Sequence, residues 1–187
     1  MTPPITHRVR LTYDDYLLFP NDGKRHEIID GELAVSPAPS IVHQTILLRL
    51  TVALHQYLTA HPIGRVFFAP VDVILDPQNI VQPDAVFVSL DRQAIITQAN
   101  LQGAPSLVIE VLSPDSARRD RIEKRYLYER FGVQEYWVVD VDQALVEVYR
   151  RQADTLPIVQ TLRAQDTLTS PILPAFSLAL ADLLIQA

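Results

Sequence analysis

A single carboxylate inside an apolar run most constrains how this chain can fold. Glu110 interrupts residues 107–112, a run with the length and the β-prone composition of a buried strand. An ionised carboxylate is costly to bury unless it is paired, protonated or bound to a metal ion. The run therefore predicts a buried strand that delivers an acidic side chain to a site.

The segment after this strand predicts a helix that faces the same sheet. Ser113 can serve as the N-cap and Pro114 as the first helical residue. Spacings of three and four residues then place Asp120 and Lys124 on the apolar face of that helix. The helix would direct Lys124 back toward Glu110.

Two more acidic side chains lie next to β-prone runs. Asp84 directly precedes the apolar residues 85–88, and Glu27 lies in the first arm of a hairpin whose Asp-Gly turn suits type I′ geometry. Alternation along that arm places Glu27 on the same face as Ile29, which would turn it inward. Simpler alternatives remain open, because Asp84 can bond the preceding turn and Glu27 can lie in water at a strand edge.

A long helix is predicted from the cap Ser40 to about residue 60, with a buried stripe of leucines. His43 lies one turn before the first of these leucines. We interpret His43 as a hydrogen-bonded core residue, because no second histidine stands near it at a metal-binding spacing.

The remaining pattern predicts a mixed sheet. Strands are expected at residues 65–75, 84–89, 136–140, 145–149 and 158–162, and a short terminal helix at 177–185. The central part then follows the order helix, strand, strand, strand, helix, strand. The predicted fold class is α/β, with a mixed sheet of the α+β kind.

Composition sets broader limits. The 187 residues favour a single domain, 1–187, and the absence of cysteine excludes disulfides and thiolate metal sites. With 16 basic and 22 acidic residues, the net charge of −6 argues against sequence-blind coating of nucleic acid. No apolar run is long enough to span a bilayer, so no membrane association and a cytoplasmic location are expected.

Three of these side chains together suggest a chemistry. Asp84 and Glu110, at the ends of neighbouring strands, can hold a hard divalent cation such as Mg²⁺, which prefers oxygen ligands. Such a cation activates water and stabilises charge on a phosphate, and Lys124 can orient that water or neutralise the phosphoryl group. These are the groups that phosphodiester hydrolysis requires, although carboxylates beside strands are frequent in α/β proteins.

The combined motifs resemble the Uma-two family of restriction endonucleases, within the PD-(D/E)XK nuclease superfamily. The resemblance covers about residues 11–184. It rests on the Pro-Asp pair ending at Asp84, on Glu110 within 107–114, on Asp120 and Lys124, on the segment 132–140, and on the hairpin 26–33.

This resemblance implies a restriction-endonuclease-like core with an N-terminal hairpin, and DNA cleavage that depends on Mg²⁺ or Mn²⁺. Asp84 and Glu110 would bind the metal, Lys124 would be the catalytic lysine, and Glu27 an additional acidic residue of the site. One departure matters: the superfamily usually places its lysine two residues after the acid, where this chain has Leu112. Lys124 on the following helix would replace it.

Two other functions stay open at this point. A catalytically inactive binding or assembly module is favoured by the net charge of −6 and by the absence of a lysine at position 112. Hydrolysis of another phosphate substrate, RNA included, is the second. A homodimer would suit the cutting of two strands. In the basic run that begins at Arg118, Arg119 and Arg121 either contact phosphate or form a solvated helix face.

Overall fold

The computed structural model describes residues 9–184. The helices are α1 (Tyr13–Tyr16), α2 (Ile41–Ala60), α3 (Arg125–Arg130) and α4 (Leu180–Leu183), with a 3₁₀ helix at Leu90–Ile95 and a π-helical segment at Arg119–Lys124 that leads into α3. The strands are β1 (Arg25–Ile29), β2 (Glu32–Ser36), β3 (Gly64–Phe68), β4 (Val73–Asp76), β5 (Asn79–Val81), β6 (Ala85–Ser89), β7 (Leu101–Gln102), β8 (Leu107–Val111), β9 (Glu135–Asp140), β10 (Leu145–Arg150), β11 (Ile158–Arg163), β12 (Thr167–Ser170) and β13 (Leu173–Ala179).

A six-stranded mixed sheet carries the predicted apolar runs. Its strand order is β11-β10-β9-β8-β6-β3, and β8 and β9 are its parallel pair. Parallel neighbours need a crossover connection. The π-helical segment and α3 supply it between β8 and β9, which places Lys124 above the strand that carries Glu110.

A second, five-stranded sheet has the order β2-β1-β5-β4-β7. Its β1–β2 hairpin confirms the prediction from Asp30 and Gly31, whose φ angles of 50° and 76° are both positive, as a type I′ turn requires. The central strands Asn79–Val81 and Arg25–Ile29 pair through Ile28 and Ile80. The hairpin therefore holds Glu27 against the site.

Two apolar cores cover the two faces of the six-stranded sheet. On one face, Leu50 and Leu54 of α2 pack in a cluster with Trp137 and with Phe176 of β13. On the other face, Tyr128 of α3 lies in a cluster that also contains strands of both large sheets. Burying each such side chain stabilises the fold by about 1.5–3 kcal/mol relative to leaving it exposed. The sheet is thus fixed from both sides.

Helix α2 forms as predicted. The Ser40 hydroxyl accepts a hydrogen bond from the His43 backbone N–H at 3.2 Å, which caps the helix. The leucine stripe is buried. Within the described residues, 9–184, no helix is both long and apolar enough to cross a membrane.

The single strand expected at residues 65–75 is wrong. β3 ends at Phe68 and pairs with β6, whereas β4 begins at Val73 and belongs to the other sheet. Pro70 lies between them, and a proline has no amide hydrogen to donate to a strand ladder. The chain therefore leaves one sheet here and enters the next.

The helix start expected at Ser113 and Pro114 is also wrong. Ser113 donates its hydroxyl to Ser116 Oγ at 3.1 Å, and its carbonyl accepts from the Ser116 and Ala117 amides at 3.1 and 3.0 Å. The serine hydroxyl is used inside a turn, so it does not cap a helix. The chain becomes helical after that turn, and the π-helical segment is part of this helical stretch.

The terminal helix expected at 177–185 is shorter and begins later, because residues 177–179 belong to a strand. Ser177 lies in β13, which pairs antiparallel with β12, and α4 spans only Leu180–Leu183. The backbone groups of 177–179 are taken by strand pairing in preference to a helix. Residue 185 lies outside the described residues.

Replacing Leu54 by alanine should destabilise the fold by about 2–5 kcal/mol, because this side chain is fully buried and its removal leaves a cavity. Leu48→Ala on the same helix is the matched control, since Leu48 is 64% exposed and its loss should cost no more than about 0.5 kcal/mol. Urea unfolding measures both. Equal losses for the two variants would contradict the described packing of α2.

Candidate functional site

Strand pairing places Asp84 and Glu110 side by side. β6 and β8 are antiparallel with Ala85 opposite Ile109, and continuing this register by one residue brings Asp84 beside Glu110. Their exposed fractions are only 1% and 2%, yet both line one cavity of about 670 Å³. The pair proposed from sequence therefore meets at one accessible point.

Lys124 reaches this pair from the π-helical segment. Its Nζ donates to Glu110 Oε1 at 2.8 Å, lies 2.8 Å from Glu27 Oε1, and lies 3.5 Å from Asp120 Oδ1. Burial alone lowers the pKa of the Lys124 ammonium, but the negative charges of these carboxylates outweigh burial and hold that pKa well above its usual value. The lysine remains charged and approaches Glu110 from the helix, as predicted.

Glu27 joins the cluster from the other sheet. Its side chain is 1% exposed, its Oε1 accepts the Gln82 backbone N–H at 2.8 Å, and its Oε2 lies 3.9 Å from Arg119 Nη1. The alternative that Glu27 is a strand-edge carboxylate in water is therefore wrong. Glu27 and Glu110 therefore both hold the Lys124 ammonium, each from a different sheet.

Asp84 is held by three groups. Its Oδ2 lies 3.0 Å from His43 Nε2 and accepts the Val111 backbone N–H at 2.8 Å, while its Oδ1 lies 2.9 Å from Arg25 Nη1. Burial raises the pKa of Asp84, but the His43 hydrogen bond and the Arg25 charge outweigh burial and lower that pKa below its usual value. Asp84 is thus a carboxylate, and His43 is the hydrogen-bonded residue that the sequence suggested.

The pKa of Glu110 shifts in the opposite direction to the pKa of Asp84. Burial, together with the neighbouring charges of Asp120, Asp84 and Glu27, raises the pKa of Glu110 to about 8 against the opposing effect of Lys124. The Tyr128 hydroxyl donates to Glu110 Oε1 at 3.1 Å and fixes its orientation. The site therefore contains more negative charge than its own cations balance.

Asp120 is affected by the same excess of negative charge. Burial raises its pKa, and the charges of Glu27 and Asp84 add to that rise. Its Oδ1 is buried and has no hydrogen-bond partner among residues 9–184. A carboxylate in this position gains from any additional positive charge in the cavity.

The donor set fits a magnesium or manganese ion. Mg²⁺ is commonly bound by one or two carboxylates, with waters or phosphate oxygens completing its shell. Asp84 and Glu110 supply such carboxylates, and buried Asp84 Oδ1 accepts no hydrogen bond in the part of the chain that the structure describes. No group of three or more His, Cys, Asp or Glu side chains in 9–184 could hold a metal ion on its own. A cation here would therefore depend on water or substrate for its remaining ligands.

The structure removes Arg121 from the expected phosphate contacts. Arg121 lies 2.7 Å from Asp140 and 2.9 Å from Glu147, so both carboxylates occupy its guanidinium. Arg118 is largely exposed beside Glu123, and neither of these arginines lines the cavity.

Sequence reasoning missed Arg25. The predicted hairpin began one residue later, and a charged residue at a strand start usually faces water. Alternation would have revealed it, because residues two apart on a strand share a face and Arg25 lies two positions before Glu27.

The chain, with its mixed sheet, two buried carboxylates and a facing lysine, has a restriction-endonuclease-like fold. The chain belongs to the Uma2 family, described as "Putative restriction endonuclease", whose sequence model matches residues 13–181. The family description indicates a nuclease.

Two similar proteins come from cyanobacteria. "Uncharacterized protein slr1290" of Synechocystis sp. is 27% identical over 164 residues, which cover 85% of this chain and 84% of that protein. A crystal structure described as "a putative nuclease belonging to DUF820" from Anabaena variabilis superposes with a TM-score of 0.77 at 22% identity, covering 93% of this chain and 97% of that one. This likeness establishes the shared fold.

The raised pKa of Glu110 predicts a pH-dependent stability in EDTA. The folded protein keeps the Glu110 proton up to about pH 8, whereas the unfolded chain releases it near the ordinary value of 4.5. The stabilisation is therefore complete below pH 4.5 and is lost as the pH rises to about 8, with a slope of up to about 1.4 kcal/mol per pH unit. Glu110→Gln should flatten this slope in urea unfolding.

Glu123→Gln is the control, because Glu123 has a side chain that is 46% exposed and lies outside the cluster. It should keep the wild-type dependence on pH. Parallel profiles for wild type and Glu110→Gln would contradict the described electrostatics of Glu110.

Proposed function

We propose that this protein is a divalent-metal-dependent endonuclease that hydrolyses phosphodiester bonds in DNA. One observation carries the proposal: the buried carboxylates of Asp84 and Glu110 lie side by side at one cavity, with Lys124 bonded to Glu110. The family description and the nuclease neighbour support the same class of activity.

Asp84 and Glu110 would hold Mg²⁺ or Mn²⁺, which lowers the pKa of a bound water and stabilises charge on the phosphate. His43 and the Val111 N–H fix the orientation of Asp84 through its Oδ2. Tyr128 fixes Glu110 in the same way. The two carboxylates are thus held in place before any ligand enters.

Lys124 would have a different role from that of the two metal-binding carboxylates. An ammonium group has three N–H donors, and Glu110 and Glu27 engage two of them. The third can donate to an attacking water or to a phosphate oxygen, where charge develops during the reaction. Glu27 serves as the positioning residue for Lys124, which explains its burial in the site.

The charge of the cavity supports dependence on a metal. Two basic side chains line it, Arg25 and Lys124, against a larger acidic set: Asp84, Glu110, Asp115, Asp120 and Asp142. Such a cavity repels a DNA phosphate, since like charges that face each other are unfavourable. A bound divalent cation would offset this repulsion at the point where the phosphate must enter.

A second candidate is a nuclease-fold binding module without turnover. It is favoured by the absence, in residues 9–184, of three side chains that could hold a metal by themselves. A cleavage assay distinguishes this candidate from the endonuclease. RNA substrates in the same assay test the third function considered from the sequence, which is hydrolysis of another phosphate substrate.

Purified wild-type protein should nick supercoiled plasmid in Mg²⁺ or Mn²⁺ and not in EDTA. Asp84→Asn and Glu110→Gln should each lower the rate by about a hundredfold or more, because each removes a metal-binding carboxylate. Asp142→Asn is the matched control: Asp142 lines the same cavity but is exposed, and its loss should leave the rate nearly unchanged.

Gel electrophoresis of the plasmid forms gives the rates. A wild-type protein that cuts no DNA or RNA in either metal would contradict the endonuclease and favour the binding module. Equal losses in Asp142→Asn and Asp84→Asn would contradict the assigned metal ligands.

A further inference from the structure

Arg25 is a basic side chain of the cavity that is paired with Asp84 through one of its guanidinium nitrogens. It opens β1 and lines the cavity, with 20% of its side chain exposed compared with 3% for Lys124. Its Nη1 lies 2.9 Å from Asp84 Oδ1, but that oxygen accepts no well-aligned hydrogen bond within residues 9–184. The contact between them is a close ion pair that engages one guanidinium nitrogen, Nη1.

The N–H donors of Arg25 that do not face Asp84 are therefore available to a ligand. A guanidinium carries five N–H donors in a planar fork, a shape that matches two oxygens of one phosphate. Lys124 cannot make this two-oxygen contact, because Glu110 and Glu27, at 2.8 Å each, engage two of its three N–H donors. Arg121 is occupied by two carboxylates.

We propose that Arg25 binds a phosphate of the nucleic acid once a divalent cation is held at Asp84. The inference rests on the proposed function and names the residue that recognises the substrate backbone. Arg25 supplies the positive charge that faces Asp84 Oδ1. A divalent cation bound at Asp84 supplies that charge instead, and the guanidinium then turns its fork to the phosphate.

This exchange couples the two ligands. The cation strengthens phosphate binding by freeing Arg25, and by linkage the phosphate strengthens binding of the cation to the same degree. Phosphate binding in an otherwise acidic cavity then requires the metal. The coupling makes the role of Arg25 measurable without any cleavage.

The test is the affinity for a short fluorescein-labelled DNA duplex, measured by anisotropy in Ca²⁺ and in EDTA over a range of salt concentrations. Wild type should bind more tightly in Ca²⁺. Arg25→Gln should weaken binding in Ca²⁺ by about tenfold. It should also reduce the slope of log affinity against log salt by about 0.9, the value for one lost phosphate contact.

Thermal stabilisation by Mn²⁺ separates substrate binding from a structural role. Arg25→Gln should keep this stabilisation, because Asp84 and Glu110 remain in place. Arg25→Lys keeps the charge but loses the fork, so its duplex affinity should lie between those of wild type and Arg25→Gln. Arg65→Gln, an exposed arginine outside the cavity, is the matched control and should retain wild-type affinity.

Unchanged affinity and salt slope in Arg25→Gln would overturn the inference. Loss of Mn²⁺ stabilisation together with duplex binding would also overturn it, since Arg25 would then act only by holding Asp84. If Arg25→Gln does not fold, Arg25→Lys decides the question by duplex affinity in Ca²⁺ alone, and an affinity equal to that of wild type would overturn the inference. A wild type that binds duplex in Ca²⁺ but never cuts overturns the nuclease activity alone, and one that binds no duplex in Ca²⁺ overturns the role of Arg25.

Discussion

The ammonium of Lys124, held between Glu110 and Glu27, is the interaction on which the rest of the site depends. It joins three elements that are distant in sequence: the π-helical segment, β8 of the six-stranded sheet, and β1 of the five-stranded sheet. Removing one partner of a buried ion pair typically costs about 3–5 kcal/mol, because the other charge is left uncompensated. The same contact therefore fixes the two sheets relative to the crossover and positions the lysine for chemistry.

Around this contact, negative charge exceeds positive charge. Four buried carboxylates, those of Glu27, Asp84, Glu110 and Asp120, face three cations, Arg25, Arg119 and Lys124. Burial and this excess of negative charge together raise the pKa values of Glu110 and Asp120. A divalent cation would relieve this imbalance, and so would a proton on Glu110. The proposed metal dependence and the proposed role of Arg25 both follow from this shortage of positive charge.

Much of the fold could be predicted from local patterns, and so could the main acids. The apolar run around Glu110, the Asp-Gly turn and the capped helix α2 each have a strong local signature, and the structure confirms them. The predictions that failed concerned contacts between residues that are far apart in the sequence. The break at Pro70 moves β4 into another sheet, and Arg25 acquires its role only because Asp84 lies opposite. No local periodicity encodes such contacts, although alternation along β1 places Arg25 on the same face as Glu27.

The central claim is that Asp84 and Glu110 together bind a divalent cation. Its most direct test is a crystal of the wild-type protein soaked in Mn²⁺, with diffraction data collected to reveal the anomalous signal of manganese. The account predicts a peak about 2.1 Å from a carboxylate oxygen of each residue, close to the distance expected for Mg²⁺. A manganese peak elsewhere would contradict it. The absence of any manganese peak, in a crystal in which Asp84 still contacts Arg25 and Glu110 still contacts Lys124, would also contradict it.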